Sequence, residues 1–91
     1  MRWVADIKHE VYKIVVLQMG ERYLLQIEDG PYVQTFKFKI PEEVASVSVI
    51  KEKVNTTFLE DISLNFQRMK KSRNSFLDDL DLSHHHFPEI I

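Results

Sequence analysis

Four large apolar residues, Phe58, Ile62, Phe66 and Met69, recur at steps of four, four and three, so on a 3.6-residue helix they form one stripe. A one-sided stripe of that size must be covered by another layer, and the fold is whatever layer the rest of a short chain can supply. The spacing predicts a helix over Thr57 to Arg73. Thr57 followed three residues later by Glu60 has the form of a capping box, which sets the start near Phe58. Glu60 and Asp61 lie at its beginning and Arg68, Lys70, Lys71 and Arg73 towards its end, the polarity that the helix dipole favours by a few tenths of a kcal/mol per charge. Asn74 and Ser75 read as its stop.

The covering layer is written upstream. Glu10 to Met19 is rich in β-branched residues and too continuously apolar for a surface helix, so it reads as a strand. Val11, Lys13, Val15 and Leu17 fall on one side and Tyr12, Ile14 and Val16 on the other, and apolar groups on both sides imply a central position in a sheet. A turn at Gly20-Glu21 leads into Arg22 to Glu28, where Tyr23, Leu25 and Ile27 alternate with polar neighbours. Asp29-Gly30-Pro31 is a hairpin signal, with Gly30 expected at positive φ. Beyond it, Tyr32, Phe36, Phe38 and Ile40 point inward and Val33, Thr35, Lys37 and Lys39 outward. Met1 to Lys8 has the alternation of a short extra strand, with Trp3, Ala5 and Ile7 on one side.

After Pro41, the apolar residues Val44, Val47, Ile50 and Val54 follow helical steps, which favours a helix from about Ser46 to Val54 over a fourth strand. Asn55-Thr56-Thr57 argues for a break before the main helix. The expected fold is therefore α+β: a three- to four-stranded antiparallel meander packed on one face by one or two C-terminal helices. Residues 1–74 form its single domain. Residues 75–91 are an apolar and acidic, histidine-containing tail, and Phe76, Leu80, Phe87 and Ile90 are more large apolar groups than a disordered segment carries, so the tail is expected to dock on something.

Several chemistries lack their residues. With no cysteine among 91 residues there is no disulfide, no thiolate nucleophile and no cysteine-ligated metal. The only glycines, Gly20 and Gly30, are both used by turns, so no clustered-glycine phosphate loop is available. His84-His85-His86 resembles a metal site, but consecutive side chains diverge on a helix or strand, and the triplet reads as a solvated polar tract. No catalytic, cofactor-binding or metal residue is assigned. A net charge of -2 does not point to nucleic acid or anionic lipid. No apolar run is long enough for a signal peptide or a membrane span, which makes the cytoplasm the expected compartment.

What the sequence has in surplus is apolar surface. The first reading is a small non-enzymatic interaction module, an adaptor or accessory subunit, completed by a protein partner or by a second copy of itself through Val11, Val15, Leu17, Phe76, Leu80, Phe87 and Ile90. A second is an enzyme or small-molecule binder with a site between sheet and helix, using Tyr12, Tyr23, His9 or the tail histidines. A third is nucleic-acid binding through Lys37, Lys39, Arg68, Lys70, Lys71 and Arg73.

Overall fold

A computed structural model describes the backbone of residues 1–90 and the side chains of residues 1–80. Four strands, β1 (Arg2–Ile7), β2 (Lys13–Met19), β3 (Arg22–Asp29) and β4 (Tyr32–Lys39), precede two helices, α1 (Val47–Lys53) and α2 (Thr56–Ile90). The strands form one antiparallel sheet in the order β1-β2-β3-β4, so β2, apolar on both faces, is interior as expected. The hairpins β2–β3 and β3–β4 each turn through two residues, Gly20-Glu21 and Gly30-Pro31, with the glycine at φ 60 and no positive φ at any other described residue. That combination is the II′ turn, whose twist matches the flanking strands and whose first position is open only to glycine without strain.

One face of the sheet carries the core. Ile14 and Val16 from β2 and Leu25 and Ile27 from β3 pack with Ala5, and Ile50, Ile62 and Phe66 close over them from the helices. Aromatic rings seal the margins: Phe66 lies 5.3 Å from Tyr12 and 6.4 Å from Tyr32, and Phe58 meets Phe36 edge-on at 5.8 Å. Gln34 on the edge strand β4 donates to the backbone carbonyl of Ile62 at 3.0 Å and accepts from Asn65 Nδ2 at 3.0 Å. This pair of bonds fixes α2 in both rotation and height against β4.

Three expectations are corrected. In β1, Trp3 is level with Leu17 while Ala5 is level with Val16, so Val4 is an extra residue in a bulge. Trp3 therefore lies on the opposite face from Ala5 and Ile7, because one inserted residue reverses a period of two. Val11 is outside β2, in the loop after β1, and so leaves the face of Val15 and Leu17. Finally, α2 begins at Thr56 and runs through Asn74 and Ser75 to Ile90. Its first turn is capped by Asn55, whose Oδ1 accepts from the Phe58 N–H at 3.0 Å and whose carbonyl accepts from Leu59 N at 2.9 Å. Asn55 thus does what Thr57 was expected to do, and asparagine is the stronger of the two at a cap.

The cap yields a direct comparison. Asn55→Ala should lower unfolding stability by about 1 kcal/mol, whereas Thr57→Ala should stay within about 0.5 kcal/mol of wild type, both read from urea denaturation.

Candidate interaction surfaces

The uncovered sheet face is organised in rows. Trp3, Leu17, Leu24 and Lys37 are level across all four strands, and Asp6, Val15, Gln26 and Thr35 form the next row. Leu24 is only 3% exposed although it stands apart from the main core, so its neighbours on this face shield it from water. Trp3 is 59% exposed, and its indole Nε1 donates to Asp6 Oδ1 at 3.0 Å. The apolar row is thus partly covered by its own polar surroundings: Val15 and Leu17 are intermediate in exposure, whereas the Trp3 ring stands clear, and Met19 and Val33 on the same face are 38% and 45% exposed.

The second surface is the far half of α2. Ile62, Phe66 and Met69 lie towards the sheet, and the same alternation of four and three continues through Arg73, Phe76 and Leu80. This is a heptad spacing, which keeps successive residues on one side of a helix. The first three are buried or half-buried, but every side chain from Lys70 to Leu80 is exposed. Phe76 is 63%, Leu80 49% and Leu77 37% exposed. The sequence at positions 83, 87 and 90 carries the spacing on through Ser83, Phe87 and Ile90. The side chains of Phe87, Ile90, His84, His85 and His86 lie outside the described residues.

Of the residues weighed for a small-molecule site, His9 and Tyr12 come together and Tyr23 stands apart. His9 Nδ1 accepts from the backbone N–H groups of Val11 and Tyr12, both at 3.1 Å, and its ring stacks on Tyr12 at 5.0 Å, so it builds the β1–β2 turn. Tyr12 and Tyr23 belong to opposite ends of the sheet, one just before β2 and the other at the start of β3. One cavity between sheet and helices, lined by Leu25, Phe38, Val44, Ile50, Val54 and Phe58 among others, is apolar and about 50 Å³ in volume, and an open depression of about 280 Å³ between the sheet and α2 is lined by His9, Tyr12, Thr56, Leu59, Glu60 and Ser63. Small-molecule sites run from about 300 Å³ and include convergent polar groups. Lys37 and Lys39 are on the open face, next to Arg22, while Arg68, Lys70, Lys71 and Arg73 belong to the helix packed on the other face. Lys70 comes within 3.9 Å of Asp29 across an exposed gap, a contact of little energetic weight. Among the described residues there is no cluster of metal-ligating side chains, and no helix is long and apolar enough to cross a membrane.

No family model matches this chain, and neither does any curated protein or solved structure.

Val15 and Leu17 are therefore brought together on the open face with Trp3 and Leu24, Val11 is separated from them in a loop, and Phe76 and Leu80 share a helical stripe. Leu77 borders that stripe and Arg73 lies within it, and sequence reasoning did not join either to the stripe of Phe66 and Met69. The signal was the unbroken heptad spacing across Asn74 and Ser75. The contrast between the two halves of α2 can be measured. Phe66→Ala should cost about 3–5 kcal/mol of stability, and Phe76→Ala less than about 0.5 kcal/mol, by chemical denaturation of dilute protein.

Proposed function

We infer that this chain is a small non-enzymatic protein-interaction module, in which the sheet, α1 and the first half of α2 form a body and the second half of α2 is the docking arm. The observation that carries this reading is the exposure of Phe76, Leu77 and Leu80 on a helix that has outrun its own sheet. Exposed apolar residues scattered singly are ordinary, but three within two turns at the spacing of a helix seam form the kind of stripe that helix-in-groove and coiled-coil partners cover. The sheet supports the reading from the other side: it fixes the near half of the helix through Phe66, Ile62 and the Gln34 bonds, and so presents the far half in a defined direction. Burying an aromatic anchor such as Phe76 is the usual source of binding energy at such contacts.

Photo-cross-linking tests this in the native cells. A benzoylphenylalanine in place of Leu77 should capture specific protein, and the capture should be lost when Leu80→Asp is added. The same probe in place of Leu64, which is 52% exposed on the opposite side of α2, should capture none. Equal capture from both positions, or none from either, would remove the arm from the function.

A further inference from the structure

We propose that the free edge of β4 pairs with the β4 edge of a second copy of this chain, antiparallel and centred on Thr35, so that one sheet runs through both copies. The contact lies in the plane of the sheet and is independent of the far half of α2.

The two edges of the sheet differ. β1 carries the bulge at Val4, a device that turns an edge away from further pairing. β4 keeps an unbroken register with β3 over its whole length and contains neither bulge nor proline. Along such a strand, successive residues direct their backbone groups alternately towards the neighbouring strand and away from it. The Ile40 N–H donates to the Glu21 carbonyl at 2.8 Å, so Ile40, and with it Phe38, Phe36, Gln34 and Tyr32, faces β3. Val33, Thr35, Lys37 and Lys39 face outward. Lys39 is already taken: its N–H donates to Glu43 Oε1 at 2.9 Å, and its carbonyl accepts from Glu43 N at 3.0 Å and Val44 N at 3.2 Å. At the other end, Pro31 has no N–H to offer. Among the described residues, nothing bonds to the outward backbone groups of Val33, Thr35 and Lys37.

A row of alternate N–H and C=O groups fits an extended strand, and the limits of the row select the strand. The open stretch is symmetrical about Thr35, so a second copy fills it in one register. Thr35 faces Thr35 of the second copy, Val33 faces Lys37 of the second copy, and every free N–H meets a free carbonyl. Moving the centre to Gln34 or Phe36 sets a free residue against Pro31 or the occupied Lys39 and loses bonds. Side chains agree with the Thr35 register. The two Lys37 side chains stand four residues apart, roughly 14 Å at ~3.4 Å per residue, so the charge that guards an edge strand does not oppose itself. Each lysine stem instead covers Val33 of the other copy, a residue 45% exposed in one chain alone. On the helix side, Tyr32 comes level with Phe38 of the second copy; both rings are only half-buried, and aromatic pairs across strands are favourable. α2 engages β4 through the Gln34 side chain on the core face and uses none of these backbone groups.

The test uses the full chain. Light scattering on a sizing column should give a dimer whose fraction falls on dilution. Thr35→Pro removes the central outward N–H at an edge position where proline is tolerated, and should give a monomer with an unchanged near-ultraviolet signal. Val33→Lys and Val33→Glu, at an exposed position, decide without relying on proline: the first sets like charges opposite each other and should raise the dimer Kd several-fold, and the second should lower it several-fold. For register, Thr35→Cys in a chain with no other cysteine should form an interchain disulfide, because residues facing each other in a bonded pair lie about 5.5 Å apart at Cα. Lys37→Cys should not. Leu80→Asp, in the arm, should leave the dimer fraction unchanged. A wild-type monomer at up to about 1 mM, enough to expose a millimolar Kd, overturns the proposal. So does Kd moving the same way in both Val33 variants, equal cross-linking from positions 35 and 37, or a dimer abolished by Leu80→Asp.

Discussion

The mismatch in length between one helix and one sheet governs this molecule. The eight-residue strands β3 and β4 span about 27 Å at ~3.4 Å per residue. The 35-residue α2 is about 52 Å long at ~1.5 Å per residue, and it accounts for most of the 58 Å long dimension of the chain. Both halves of the helix carry the same apolar stripe, but only the near half has a sheet beneath it. In proteins, helical stability comes mainly from packing an amphipathic face. The near half is held by Phe66, Ile62 and Gln34; among the described residues of the far half, every side chain from Lys70 to Leu80 is exposed.

The sheet is built to make the near half rigid. Two glycine-first hairpins fix the register of β2, β3 and β4, and that register sends Ile14, Val16, Leu25 and Ile27 to the helix side together. The bulge at Val4 then turns Trp3 to the other face, where it extends the row of Leu17 and Leu24 instead of joining the core. This face protects itself: Leu24 is buried without any helix over it. The open sheet face therefore exposes less apolar surface than its sequence implies, while every side chain of α2 from Lys70 to Leu80 is exposed.

The α+β architecture was legible in the sequence because its signals are local. Alternation with period two marks β3 and β4, β-branched density marks β2, glycine marks the turns, and the stripe from Phe58 to Met69 marks the helix that covers them. What was not legible depended on competition between neighbours. A single inserted residue in β1 is invisible when the inserted residue is itself apolar, as Val4 is. Asn55 and Thr57 both look like caps, and only the observed hydrogen bond chooses between them. Asn74-Ser75 looked like a stop, yet both residues cost a helix well under 1 kcal/mol each, and no glycine or proline follows before Pro88. Reading a stop there split the heptad in two, so Phe76 and Leu80 were assigned to a separate tail, with at most a further helical turn or two, when they continue the stripe of Phe66 and Met69. Val11 was grouped with Val15 and Leu17 because extending a strand pattern two residues too far costs nothing in sequence.

The measurement that bears most directly on the central claim, that the sheet holds only the near half of α2, is amide hydrogen exchange along α2 in dilute protein. The account predicts high protection over residues 58–69, set by the sheet, and much lower protection over residues 73–80. Equal protection of both halves would contradict it.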